Sequence, residues 1–152
     1  MSRAERAKEL FEQGYACSQA VALAFADLTG IEENAIAKMT LPFGGGLGRL
    51  RLTCGAVSGM ALIVGLLVAK EENSQENKLN TYAITRELCE KFVQENGSLI
   101  CSDLLNGANL QVTVGGQAEV RTEEYYKKRP CSEIVYSAAK ILETYLKDND
   151  LF

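Results

Sequence analysis

The chain contains no histidine and no tryptophan. Without histidine it lacks the side chain that most often binds metal ions and the one that most often serves as a general base near neutral pH. Any metal ion must therefore be held by cysteine, aspartate, glutamate or backbone oxygen atoms. Acidic residues are spread over the faces of the predicted helices and form no paired carboxylate site, so the cysteines are the residues most able to carry chemistry.

The chain also lacks an excess of positive charge and a long apolar run. Its formal net charge of −4 argues against nucleic-acid binding, which needs a basic face. The most apolar stretch, residues 60–69, is much shorter than the roughly 20 residues that span a bilayer and is interpreted as a central buried helix. The N-terminal residues carry mixed charges and no apolar core of a signal peptide. We therefore expect a cytoplasmic protein without a membrane span.

The hydrophobic periodicity of the chain is almost entirely helical. A length of 152 residues and an apolar fraction of 47 % favour a single globular domain that covers residues 1–152. The pattern predicts an all-α fold, a compact bundle of about five to seven helices. The predicted helical segments are residues 4–13, 18–28, 32–39, 55–70, 75–95, 102–105 and 132–147.

One stretch departs from the helical period. Residues 110–120, LQVTVGGQAEV, alternate apolar and polar side chains around a Gly-Gly pair, as strands of a hairpin do. The sequence therefore predicts either a small hairpin or a mobile loop near residues 107–121. A plain helical bundle without chemistry is the simplest alternative for the chain as a whole.

The five cysteines are an odd number, and no export signal precedes them, which argues against a secreted fold stapled by disulfides. We expect reduced thiols. Cys89 lies in the middle of a predicted helix and is interpreted as a small buried hydrophobic residue. The other four each follow a break in the chain and open an apolar helical pattern; they are Cys17, Cys54, Cys101 and Cys131.

A helix start has consequences for a thiol, because its free N–H groups and the helix dipole stabilise a thiolate and lower the pKa. We expect Arg49 and Arg51 to add positive charge near Cys54, and the basic residues 127–129 to do so near Cys131. A buried structural cysteine is the better interpretation of any one of these residues alone, and their shared setting favours function. No CxxC pair provides a local metal site, so the sequence does not show whether the four meet.

Glycines surround Cys54 on both sides. Gly55 and Gly59 lie on one helix face about 6 Å apart along the axis, which predicts either a close helix contact or room for a cofactor or second thiol beside Cys54. Residues 44–49, GGGLGR, lack the Lys-Ser/Thr end of a phosphate-binding loop. We interpret them as a flexible loop that covers or frees Cys54.

The spacing Cys17, Cys54-Gly55-Ala56-x-x-Gly59, Cys101, Cys131 resembles the C_GCAxxG_C_C family of redox-active proteins. The resemblance extends over nearly the whole chain, from about residue 11 to residue 146. It implies that the four cysteines are the functional set and that Cys89 lies outside it. Members of the family are often encoded near transporter genes, and a related domain occurs in multi-domain redox proteins that carry iron–sulfur clusters.

Together, the helix-start cysteines and the resemblance predict a redox-active protein in which the four thiols share one site. They would ligate an iron–sulfur cluster for electron transfer, or cycle between dithiol and disulfide with Cys54 as the attacking thiolate and another of the four as its partner. The alternatives are a structural module that binds zinc through four thiolates and a transport-associated interaction protein without catalysis. We expect an unknown redox partner or a transporter-associated protein as partner, and a homodimer.

Overall fold

The computed structural model describes residues 1–152 and confirms the all-α prediction: it contains nine α-helices and no β-strand. A single isolated antiparallel bridge joins Thr53 to Ile100. The helices are α1 (Arg3–Glu12), α2 (Cys17–Leu23), α3 (Ala26–Thr29), α4 (Glu33–Thr40), α5 (Gly55–Leu67), α6 (Gln75–Asn96), α7 (Cys101–Gly107), α8 (Glu123–Lys128) and α9 (Cys131–Asp148), with a 3₁₀ turn at Leu41–Phe43 after α4.

The protein has nine helices where the sequence predicted about five to seven. Each of the two additional helices has a local cause. The segment predicted as one helix over 18–28 is divided into α2 and α3, because Phe25 between them leaves the helical conformation at φ −117° and ψ 5°. Helix α8 has no buried residue and so no apolar period to detect. Its first turn is capped by the Thr122 hydroxyl, which accepts a hydrogen bond from the Tyr125 N–H at 3.1 Å.

The predicted hairpin near residues 107–121 is absent. Gly115 and Gly116 both have positive φ and form a bend, but no strand precedes or follows it. The backbone groups that a partner strand would pair are bonded to another segment instead. The N–H of Gly115 donates to the Arg49 carbonyl at 2.8 Å, and the Gly115 carbonyl accepts from the Arg49 guanidinium at 2.7 Å.

The core consists of two helix pairs that pack on each other. Helix α1 lies along α9 and α2 lies along α5, α5 and α9 are in contact, and α6 covers both of them. A cluster of 27 buried apolar residues fills the space between these helices. Its largest fully buried side chains include Phe11, Phe25, Phe92, Met60 and Leu142.

Helix α5 is central only in its first half. Its residues from Gly55 to Val64 are mostly buried, whereas Gly65 and Leu66 are exposed, so the predicted central helix reaches the surface before it ends. Helix α5 has 13 residues, and no helix of the protein is long and apolar enough to cross a membrane.

Helices α2 and α5 approach each other most closely at Gly59. A Cβ atom on this residue would lie 2.5 Å from the Ser18 carbonyl oxygen of α2, so no side chain fits there. The Ser18 hydroxyl donates in turn to the Thr40 carbonyl at 2.6 Å, and the Gln19 amide donates to the Ala37 carbonyl at 2.9 Å. These bonds fix α2 between α5 and the end of α4.

We predict that Gly59→Ala lowers the free energy of unfolding by about 1–3 kcal/mol, because the added methyl group forces two backbones apart. Gly65→Ala is the matched control on the same helix, since its Cβ would meet nothing within 4 Å. It should stabilise the helix by up to about 1 kcal/mol. Urea unfolding followed by circular dichroism measures both variants, and equal effects of the two substitutions would contradict the close contact.

Candidate functional site

The four helix-start cysteines line one cavity of about 360 Å³. Cys17, Cys101 and Cys131 are the first residues of α2, α7 and α9, and Cys54 immediately precedes α5. Cys89 is half-buried on α6, away from this cavity. The structure therefore brings together the four positions that the sequence singled out and leaves the fifth aside.

The bridge between Thr53 and Ile100 places Cys54 beside Cys101. The N–H of Cys54 donates to the Leu99 carbonyl at 2.7 Å, and the N–H of Cys101 donates to the Leu52 carbonyl at 2.6 Å. Each cysteine follows its bridge residue directly and then begins a helix. The segments before α5 and α7 are distant in sequence, and this bridge holds the starts of the two helices side by side.

Gly55 brings the Cys17 thiol to the same place. A Cβ atom on Gly55 would lie 2.4 Å from the Cys17 sulfur and 2.8 Å from the Phe43 carbonyl oxygen. The sequence predicted that Gly55 could leave room for a second thiol beside Cys54, and the Cys17 thiol occupies that room. Gly59 does not line the cavity, and its role is the contact with Ser18 rather than cofactor binding.

The glycine-rich loop forms a left-handed turn against two of the thiols. Residues 45–49 all have positive φ, including the non-glycine residues Leu47 and Arg49. At Gly46, where φ is +75°, a Cβ atom would lie 2.8 Å from the Cys101 Cβ. The backbone N–H of Gly45 hydrogen-bonds the Cys17 sulfur and lowers its pKa. The contacts of this loop fall on Cys17 and Cys101, not on Cys54 as we expected.

Residues 108–122, which we call the strap, form one wall of the cavity. The strap contributes Gly116, Ala118, Glu119 and Arg121 to the lining. The Arg49 guanidinium holds it by donating to the Gly115 and Gln117 carbonyls, and the Arg51 Nε donates to the Thr113 carbonyl at 2.9 Å. Arg49 lines the same cavity as Cys54, but its hydrogen bonds are made to the strap and not to the thiol.

Positive charge exceeds negative charge around the cavity. Four guanidinium groups line it, those of Arg49, Arg51, Arg121 and Arg129, against the single carboxylate of Glu119. This leaves a surplus of three positive charges when the thiols are neutral. The Glu119 carboxylate pairs with Arg49 and Arg129, so much of the surplus lies at the other two arginines.

Two arginines, Arg121 and Arg129, contribute to the cavity although the sequence indicated only the basic stretch that contains Arg129. The Arg121 guanidinium stacks 4.5 Å from the Phe11 ring centroid and donates to the Phe11 carbonyl at 3.3 Å. Arg129 does lower the pKa of Cys131, as its position in the basic stretch suggested. Lys127 and Lys128 do not share this role, because both are exposed and Lys128 pairs with Glu124.

Burial dominates the electrostatics of the thiols. It raises the pKa of Cys17, raises that of Cys131 to about 12, and raises that of Cys54 furthest, well above its usual range. Ionisation of Cys17 would raise the pKa of Cys54 and of Cys131 further.

The helix-start argument therefore predicted the wrong direction of the pKa shift for Cys17, Cys54 and Cys131. The N–H groups of Ala56 and Val57 do lower the pKa of Cys54, but the loss of hydration outweighs them. Cys54 is only 6 % exposed. Its burial and its raised pKa both weigh against Cys54 as the attacking thiolate.

The sulfurs surround the cavity without closing on a single point. All five cysteines are free thiols, and no disulfide is formed. No three cysteine or carboxylate side chains lie close enough together, as they stand, to hold one metal ion. The four cysteines therefore line a shared cavity and do not form a closed site for one ion.

A family of known proteins matches the part of the chain that contains these four cysteines. The family model described as "Putative redox-active protein (C_GCAxxG_C_C)" matches residues 15–145, which include Cys17, Cys54, Cys101 and Cys131. This chain belongs to the C_GCAxxG_C_C family. Membership confirms the resemblance seen in the sequence and supports a redox-active protein at the level of the family.

One relative aligns along nearly all of the C_GCAxxG_C_C chain. It is an uncharacterized protein of Archaeoglobus fulgidus, 31 % identical over 160 aligned positions that cover 97 % of this chain and 98 % of the relative. No solved structure matches the chain. The chemistry of the site has to be argued from its own residues.

The raised thiol pKa values predict a pH-dependent stability of the metal-free protein. Folding binds the Cys131 proton more tightly, because the pKa is 9.0 for a free thiol and about 12 in the fold. The unfolded state therefore loses this proton first, and the free energy of unfolding falls as the pH rises from about 9 towards 12. In Cys131→Ser this alkaline loss should be smaller than in the unaltered protein.

Urea unfolding of both proteins from about pH 8 to about pH 11 measures this difference. Cys131→Ser removes the titrating thiol at nearly constant side-chain volume, so the pH slope isolates ionisation from packing. Parallel curves for the two proteins across that range would contradict the assigned direction.

Proposed function

We propose that this protein transfers electrons through an iron–sulfur cluster held by Cys17, Cys54, Cys101 and Cys131. The observation that carries the proposal is the convergence of these four helix-start thiols on one cavity of about 360 Å³. Four cysteine thiolates are the usual ligand set of such clusters. The cluster would supply one-electron transfer, and the chain would supply the ligands, their orientation and the exclusion of water.

The pKa directions of the thiols favour a metal centre over free thiol chemistry. Burial holds Cys17, Cys54 and Cys131 protonated in the absence of a cation. A coordinated metal reverses this preference, because its charge deprotonates a ligating thiol outright. Such thiols are poor nucleophiles and good ligands.

The size of the cavity favours a polynuclear group over a single zinc ion. A structural zinc site draws four sulfurs to about 2.3 Å from one point, and no three candidate ligands stand close enough for that. The cavity between the thiols offers room for a larger group. The zinc module is therefore the weaker candidate.

The surrounding charges and N–H groups suit an anionic cluster. Four thiolates give the site a net negative charge, which the surplus of arginine side chains around the cavity offsets. Backbone N–H groups also act to lower the thiol pKa, that of Gly45 at Cys17 and those of Ala56 and Val57 at Cys54. Hydrogen bonds to ligand sulfurs are among the features that set cluster potentials.

A dithiol–disulfide cycle receives less support from the same residues. Exchange begins with attack by an accessible thiolate. Cys54, the thiol we expected to attack, is buried and holds its proton. No contact in the structure favours the transport-associated alternative.

The proposal predicts that anaerobic reconstitution with ferrous iron and sulfide yields a coloured protein containing iron and sulfide in equal amounts. Replacing any one of Cys17, Cys54, Cys101 or Cys131 by serine should remove most of the bound iron or make the chromophore unstable in air. Cys89→Ser is the matched control and should bind as much iron as the unaltered protein, because Cys89 lies outside the cavity.

Iron and sulfide analysis with absorption spectra measures these outcomes for all six proteins. A colourless unaltered protein that takes up no iron would rule out the cluster. Stoichiometric zinc, lost together with the fold on chelation, would instead support the zinc module. Equal iron in Cys89→Ser and in all four cavity variants would show that binding is not at this site.

A further inference from the structure

We propose that Arg51 sets the reduction potential of the site by holding the Cys101 sulfur with one part of its guanidinium while another part holds the strap. The proposal rests on the proposed function, because it concerns a sulfur that would ligate the cluster. Arg51 would touch a ligand and not the electron partner, so it is a positioning residue. Its effect would appear as a potential rather than as the presence of the cluster.

The contacts of Arg51 connect the two parts of the site. Its Nη1 lies 3.7 Å from the Cys101 sulfur in a hydrogen bond, and its Nε donates to the Thr113 carbonyl of the strap at 2.9 Å. The residue is only 6 % exposed. A buried guanidinium is shielded little by water, so its charge acts strongly on the sulfur beside it.

The backbone of Arg51 fixes the side chain in this place. Its N–H donates to the Gly45 carbonyl at 3.1 Å, and its carbonyl accepts from the Ser102 N–H at 3.2 Å. The residue has φ +63°, a left-handed conformation that is strained for a non-glycine residue. Surrounding contacts must impose such a conformation, and here they aim the side chain at Cys101.

Arg51 is distinct among the cavity arginines. Its bond to Cys101 is the one hydrogen bond between a side chain and a cysteine sulfur in the protein. Arg49 donates to backbone carbonyls and the Thr113 hydroxyl of the strap and pairs with Glu119. Arg121 donates to the Phe11 carbonyl, and Arg129 pairs with Glu119. Only Arg51 hydrogen-bonds a candidate ligand sulfur, whereas Arg129 acts on Cys131 through its charge without such a bond.

The direction of the effect follows from charge. Reduction adds one electron to the site and makes the sulfur ligands more negative, so a hydrogen-bonded cation stabilises the reduced state more than the oxidised state. Arg51 therefore raises the potential. Because the same guanidinium holds Thr113, a displacement of the strap would also alter the bond to Cys101.

The experiment compares three variants of the reconstituted protein: Arg51→Gln, Arg51→Lys and Arg49→Gln. We expect Arg51→Gln to shift the potential to more negative values, lowering the ratio of reduced to oxidised protein about tenfold at a fixed applied potential, or about 59 mV for one electron. Arg51→Lys keeps the charge and should recover most of the potential. Redox titration followed by absorption measures the shift.

Arg49→Gln is the matched control. It removes the same charge from the same cavity and more of the bonds to the strap, but no contact to sulfur. In this variant the ratio of reduced to oxidised protein should change less than about threefold, which is about half of the logarithmic shift expected for Arg51→Gln. Amide hydrogen exchange over residues 113–117 should accelerate in both glutamine variants, which reports the strap contact independently of the cluster.

The possible results distinguish a failure of the Arg51 role from a failure of the proposed iron–sulfur cluster. If the unaltered protein takes up no iron, the proposed function fails, and the role of Arg51 at a cluster fails with it. If the cluster is present and Arg51→Gln and Arg49→Gln shift the potential equally, only the role of the Cys101 contact is overturned. Unchanged exchange over residues 113–117 in Arg51→Gln would overturn the link to the strap.

Discussion

The close contact between α2 and α5 is the constraint on which the rest of the structure depends. The two backbones approach so closely at Gly59 that a single added carbon atom would overlap the Ser18 carbonyl. One turn earlier, the same approach brings the Cys17 thiol over Gly55. Gly59 therefore lets α2 and α5 pack closely in the core. Gly55 lets the Cys17 thiol of α2 lie beside Cys54 at the start of α5.

Burial and ionisation oppose each other at this site. A helix start favours a thiolate, yet the core that brings the four helix starts together also removes water from them, and the pKa of Cys54 rises despite the N–H groups of Ala56 and Val57. In the absence of a cation, burial favours the protonated form of Cys17, Cys54 and Cys131. The positive side chains around it, of which Arg51 lies nearest to a sulfur, suit the anionic centre that four thiolates would form.

The local signals of the fold were readable in the sequence, whereas most of the tertiary contacts were not. Helix periods and chain breaks located the helix starts at Cys17, Cys54, Cys101 and Cys131 within one residue. The hairpin alternative for the strap is wrong, because its alternation imitates a strand while its carbonyls are bonded to Arg49 and Arg51 some 60 positions earlier in the chain. No local pattern reveals partners at that distance, and the same limit concealed the effect of burial on the thiols.

Diffraction at the iron absorption edge, from crystals of the anaerobically reconstituted protein, tests the central claim most directly. Anomalous density for iron inside the cavity, bonded to the sulfurs of Cys17, Cys54, Cys101 and Cys131, is the expected result. Iron bound elsewhere on the chain, or a cavity in which two of these sulfurs are joined in a disulfide with no iron between them, would contradict it.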